Sequence, residues 1–224
     1  MKALCYIVIL FFLFSCDKIR GDEKQNVSSP THLTGNEIAN RAELVLAPQE
    51  YVKWVSDPKN GLVYSKTIDA IRFSILSKPI DYIVCMELKK NEITTGEYES
   101  IKSQLGDMEY FTLKIKVEGF NQEFLKYNLS SGSEYEDRVT YSAFKMQDDI
   151  KLMDGSDTIP CSLFHFERAF DVVPYGEFIL GFEKSAHPSP EKTFILYDKL
   201  FHKGTVKFTF DAANLTYLPK LSTL

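Results

Sequence analysis

The chain is poor in residues that announce chemistry. It has one tryptophan, four histidines and four cysteines in 224 residues. His32, His165, His187 and His202 show no H-x₃₋₅-H spacing, and no C-x-x-C occurs, so the usual zinc patterns are missing. There is no G-x-S-x-G, no H-E-x-x-H and no phosphate-cradling glycine loop. Asp148 and Asp149 lack the glycine and terminal glutamate of a calcium loop. These absences give no reason to expect a metal or a cofactor. The net charge is a mild −5, and no basic stripe interleaves with aromatics, which argues against nucleic acid as a partner. With Trp54 alone, an aromatic platform for carbohydrate would have to lean on the 12 tyrosines. Trp54 itself reads as a helix residue packed on a sheet. No internal repeat is visible.

What is present begins at the first residues, MKALCYIVILFFLFSCDKIRGD. Lys2 precedes twelve apolar residues, Ala3 to Phe14, and Asp17, Lys18 and Arg20 follow at once. A membrane-crossing helix needs about 20 apolar residues, whereas twelve suits the core of a signal peptide over residues 1–15. Leu13-Phe14-Ser15 does not supply an A-x-A-like cleavage site. The stretch Leu13-Phe14-Ser15-Cys16 instead resembles a bacterial lipobox. That resemblance implies cleavage before Cys16, a diacylglycerol on its sulfur and acylation, with palmitate as the typical chain, of the new amino group. One acyl chain, at about 0.8 kcal/mol per buried CH₂, holds a membrane weakly, and several hold it firmly. The membrane is therefore the first expected partner, through lipid on Cys16. The competing reading is an N-terminal helix in the core, with Cys16 as a small hydrophobe.

Residues 16–41 are then the lipidated cysteine and a polar tether rich in Ser, Thr, Asn, Gly and Pro. Residues 42–224 form a single globular domain. Aromatics at 13% and apolar residues at 44% are ample for a core. Cys5 would leave with the signal peptide. Cys85 and Cys161 remain, and a bridge over that span is worth about 4 kcal/mol in the chain-entropy model. The apolar setting Ile83-Val84-Cys85-Met86 favours two buried free thiols.

Three short helices are predicted early in the domain. Pro48 suits a first helical turn, with Tyr51, Val52 and Val55 on one face, and Asp57-Pro58 stops the helix. Pro79 opens a second, with Ile80, Ile83, Val84 and Leu88 in register. Thr94-x-x-Glu97 is a capping box for a third, which Gly106 ends. Strand alternation is strong at 111–117 and 206–210, and weaker at 62–66, 70–76, 138–147, 160–167, 177–183 and 193–198. The expected class is α+β: mainly antiparallel β-sheet or sandwich, with short helices packed near its N-terminal side.

One stretch gathers reactive side chains, DTIPCSLFHFER. On a regular strand Cys161, Leu163, His165 and Glu167 share one face. Cys161 and His165 are then about 13 Å apart, while a nucleophile and its base need about 3 Å. No catalytic residue is assigned on that spacing. His165, Glu167 and Arg168 are expected to be a structural polar cluster, with Glu167 or Arg168 in a salt bridge. They are the candidate site if the protein is an enzyme. The nearby VVPYG, ending at Gly176, reads as a loop before a strand, of the kind that carries binding.

Several stretches also resemble a group of Bacteroidetes-type lipoproteins: LAPQEYVKWVSDPKNGL, SKPIDYIV, RVTYSAFKMQDDIKL, DGSDTIPCSLFHFERAFDVVPYGEFILGFEK and the closing LPKL. The similarity covers about residues 46–221. It implies a cell-envelope location, outer membrane over inner, and no particular activity. Two functions are compatible with the sequence. One is a non-enzymatic binding module whose partner is an envelope protein or a glycan. The other is a lipid-anchored hydrolase of polysaccharide or peptide.

Overall fold

The structure, a computed structural model, describes residues 26–27 and 34–224. The signal peptide, Cys16 and much of the expected tether lie outside the described residues. In chain order the elements are β1 (Asn26–Val27), α1 (Gly35–Glu43), β2 (Val45–Leu46), α2 (Pro48–Ser56), β3 (Val63–Ile68), β4 (Ile71–Lys78), α3 (Ile80–Leu88), α4 (Thr95–Leu105), β5 (Met108–Val117), α5 (Gly132–Phe144), β6 (Ile150–Asp154), β7 (Asp157–Glu167), β8 (Tyr175–Glu183), β9 (Lys192–Asp198), β10 (Gly204–Phe210), α6 (Ala212–Thr216) and β11 (Lys220–Leu221). The class is α+β, as the sequence predicts.

The helix signals work locally as expected. Glu97 N–H donates to Thr94 Oγ1 at 3.3 Å, and the Glu97 carboxylate accepts from Thr94 N–H at 3.1 Å, so the capping box before α4 is complete. Pro48 occupies the first turn of α2. Helices α2, α3 and α4 share a small core built on Tyr51, Val55, Tyr82, Val84, Cys85 and Ile93. Trp54 packs partly buried against it. Part of the stretch expected as tether is α1, whose Arg41 donates to the Asn60 carbonyl and to Asn214 Oδ1, each at 3.1 Å.

The main sheet runs β1-β3-β4-β5-β8-β7-β6-β9-β10, antiparallel at every step. A separate pair, β2 and β11, is parallel. The main sheet curls until its far strands meet. The Tyr64 ring of β3 stands edge-on to Phe210 of β10, centroids 4.9 Å apart. At the opposite end of that seam Lys203 pairs with Asp69. The result is nearly a barrel rather than a two-sheet sandwich. Its interior holds Phe73, Phe111, Phe178, Phe182, Phe194 and Phe210, all fully buried. Alternation along the strands puts these rings inside and charged residues such as Lys114, Lys116 and Lys207 outside.

One predicted strand is overturned. Residues 138–147 are the last part of α5 and the turn that follows. Val139 and Tyr141 alternate with Thr140, which reads as period two. The helix wins because Ser131 caps it, accepting from Glu134 N–H at 3.2 Å. Tyr135 and Val139, four apart, then lie together against the barrel core, and Ser142 is buried. Strand β6 and helix α6 had no clear signal of their own.

The two ends of the barrel differ. A 3₁₀ turn at Phe124–Lys126 plugs one end, with Phe124 and Leu125 buried. Gly176 permits this, since a Cβ there would sit 2.3 Å from the Phe124 ring. Helix α5 lies against the plug. The other end, the mouth, is closed by charge. Lys192 reaches across the interior to Glu109 and binds Asp154 Oδ2 at 2.8 Å.

Candidate functional site

The stretch that gathers reactive side chains is split by a β-bulge. The pairing of β7 with β8 shifts between Cys161 and Leu163, leaving Ser162 as the extra residue. The slip reverses the side-chain faces. Cys161 points into the barrel core, whereas Leu163, His165 and Glu167 point outward and are exposed. The expected common face therefore does not exist. Burial pushes the Cys161 thiol up to about 11, and its Sγ donates to the Leu163 carbonyl at 3.0 Å. A buried, protonated thiol is a poor nucleophile. Cys85 and Cys161 are both free and buried. Among the described residues no group of three or more His, Cys, Asp or Glu could hold a metal ion.

The expected polar cluster is divided as well. Glu167 stands directly opposite Glu177, and His165 opposite Ile179, on the outer face. Glu167 is not the member that joins a salt bridge; Arg168 is. At the plugged end Arg168 Nε donates to Glu123 Oε1 at 3.0 Å, and Arg168 Nη2 donates to the Tyr135 hydroxyl at 2.5 Å. Tyr135 in turn donates to Glu123 Oε2 at 2.6 Å. Both oxygens of the Glu123 carboxylate, which is almost wholly buried, are thus engaged.

Arg168 also starts the turn from β7 to β8. Val172 N–H donates to the Ala169 carbonyl at 2.9 Å, closing a β-turn with Phe170 and Asp171 at its centre. Both central residues have positive φ, +43° and +65°. That is the pattern of a type I′ hairpin turn, which normally asks for Asn-Gly. For a bulky aromatic it is a true outlier, costing on the order of 1–3 kcal/mol per residue. Surrounding contacts hold it. Asp171 Oδ1 accepts from Glu123 N–H at 2.8 Å, and Oδ2 pairs with the Lys126 ammonium. The Lys126 bond and then the Glu123 N–H keep the Asp171 carboxyl below the usual range. The Arg168 guanidinium lies 4.4 Å over the Phe170 ring.

Yet the apolar side chains of the turn stay largely in solvent. Phe170 is 69% exposed and Val172 is 83% exposed. A strained backbone, tied through Asp171 and Arg168 to the buried Glu123, displays two apolar side chains to solvent. Sequence reasoning named Arg168 and the loop ending at Gly176, but missed Glu123, Tyr135, Lys126 and Phe170. Glu123 is 45 residues from Arg168, so no local pattern joins them.

The mouth is the other concentration of charge. Asp154 is fully buried, and its Oδ1 accepts from Ser189 N–H at 2.5 Å. Burial works against the Lys192 charge, but the bonds to Asp154 and Glu109 outweigh it and hold its pKa above the ordinary lysine value. The cleft above has a volume of about 230 Å³ and is lined by Ser77, Lys78, Tyr110 and Lys184 among others. That is smaller than the roughly 300–1,000 Å³ of ordinary ligand sites. Among the described residues no helix is long and apolar enough to cross a membrane. Compared with known proteins, the chain matches no family model, no curated protein and no solved structure.

Proposed function

We propose that this chain is a lipoprotein of a bacterial cell envelope, held in the outer membrane through lipid on Cys16. Its folded body is a non-enzymatic binding module that works through the β7–β8 turn. The carrying observation is the exposed Phe170 and Val172 on a backbone whose strain is held by Arg168, Glu123, Tyr135 and Lys126. Strain kept at a turn whose apolar side chains stay largely in solvent points to use. A rigid tip also loses little entropy when it meets a partner. The hydrolase reading has His165, Glu167 and Arg168 as its candidate site; His165 and Glu167 stand exposed on the outer face, while Arg168 is tied to Glu123 and Tyr135 at the plugged end.

The test has two parts. Intact-mass measurement of the membrane-extracted protein should show acyl mass on a chain beginning at Cys16, and Cys16→Ser should be extractable without detergent. Phe170→Asp with Val172→Asp should keep the melting temperature within about a degree and abolish function in the cell. Full function in that double variant would remove the turn from the reading.

A further inference from the structure

We infer that the surface met by the β7–β8 turn is a lipid bilayer, with Phe170 and Val172 entering the boundary between headgroups and acyl chains. The inference rests on the anchor assigned to Cys16. Its first support is where the chain joins the barrel. Asn26 pairs with Thr67 and Val27 with Lys66, so β1 approaches β3 from the side of the β3–β4 turn. The registers Ile71↔Val117, Lys116↔Tyr175 and Glu177↔Glu167 put the β7–β8 turn at that same end. Ten residue steps separate Cys16 from Asn26, reaching at most about 36 Å. The 11 residues of β7 alone span a similar length, about 36 Å at 3.3 Å per residue. The anchor thus reaches the turn end readily and the mouth only when stretched along the whole barrel.

The second support is the chemistry of the tip. Phe170 and Val172 lead, with partly exposed Val173, Pro174 and Tyr175 behind them. Arg168 and Lys126 stand directly behind the apolar tip, at headgroup depth, each already paired with a carboxylate, Glu123 and Asp171, so the tip brings no unpaired charge to the acyl boundary. The one acidic residue in the tip, Asp171, is neutralised by Lys126. The third support is size. A specific protein interface buries about 800 Å² on each partner. Two protruding side chains suit a fluid surface that closes around them better than a shape-matched protein.

The experiment uses the full-length lipidated protein in vesicles of phosphatidylethanolamine and phosphatidylglycerol with bromine on the acyl chains. Phe170→Trp is made in a Trp54→Phe background, and Val172→Trp serves if the first variant misfolds. Emission from position 170 should shift to the blue and be quenched by bromine, while native Trp54 in the unchanged chain is not. In parallel, unlipidated Cys16→Ser chain should bind added vesicles of the same lipids. Phe170→Ser with Val172→Ser should weaken that binding on the order of tenfold. An unquenched, water-exposed tryptophan at 170 on a protein that carries acyl mass overturns the docking and leaves the anchor standing. Missing acyl mass overturns the anchor, and the Cys16→Ser arm then decides the docking by itself. A photo-crosslinker at position 170 that captures one protein in place of lipid also overturns it.

Discussion

Both ends of the barrel place a cation between polar partners, and they use it to opposite ends. At the mouth, Lys192 is shared by Glu109 and the fully buried Asp154, and all three side chains point inward. At the plugged end, Arg168, Glu123 and Tyr135 form an equally complete network. That network continues outward through Lys126 and Asp171 into a turn with two non-glycine residues at positive φ. A buried ion network is weak testimony to function by itself. The difference lies in what it supports: at the mouth only the body, at the other end a strained turn bearing exposed apolar side chains.

The largest way to probe this contrast is Lys192→Met. It leaves the Asp154 carboxylate buried without its cation, a loss of about 3–5 kcal/mol. Calorimetry should show a melting temperature lower on the order of 10 °C, at 2–4 °C per kcal/mol for a domain this size. The sign with pH follows from the raised lysine pKa. The contribution is whole below the unfolded lysine value and is lost as pH rises through the folded one. As pH is raised from neutrality, the gap between wild type and variant should therefore hold until strong alkali. A gap that closes on mild alkalinisation, well below the ordinary lysine value, would mean the mouth is held by something else.

Arg168→Ala comes next. Arg168 is partly in water, so the expected loss is smaller, about 2–3 kcal/mol. Urea unfolding measures it, and a value equal to that of Lys192→Met would erase the energetic difference between the ends. Phe170→Gly should move the other way. Glycine accepts positive φ freely, so stability should rise by about 1 kcal/mol. A fall would mean that packing of the ring, not support from below, keeps the turn. The smallest effect belongs to Glu167→Ala. Glu167 is exposed and faces Glu177, so its removal should leave stability within about 0.5 kcal/mol of wild type, with any change upward. A clear loss would restore Glu167 to the supporting network.

Much of the fold is legible in the sequence because its signals are short-range. Pro48 in a first turn, the Thr94–Glu97 box and the alternation at 111–117 and 206–210 each act within a few residues. The reading fails where local patterns compete. Val139-Thr140-Tyr141 alternates like a strand, but the Ser131 cap and the Tyr135–Val139 spacing make a helix. It fails again at Ser162, where one extra residue turns Cys161 inward and His165 outward. Nothing in DTIPCSLFHFER marks that slip, because the bulge is set by pairing with β8.

The sequence by itself determined the α+β class, the early helices and the burial of Cys85. Those follow from periodicity, capping and apolar context, which are properties of neighbouring residues. Only the tertiary structure decided that the sheet curls into a near-barrel closed by Tyr64 on Phe210. It alone brought Glu123 and Tyr135 to Arg168, and it alone put Phe170 into a conformation that a free chain avoids. The physical reason is that such contacts join residues tens of positions apart. Their energy exists only after the intervening chain has folded, so no local stretch of sequence records it.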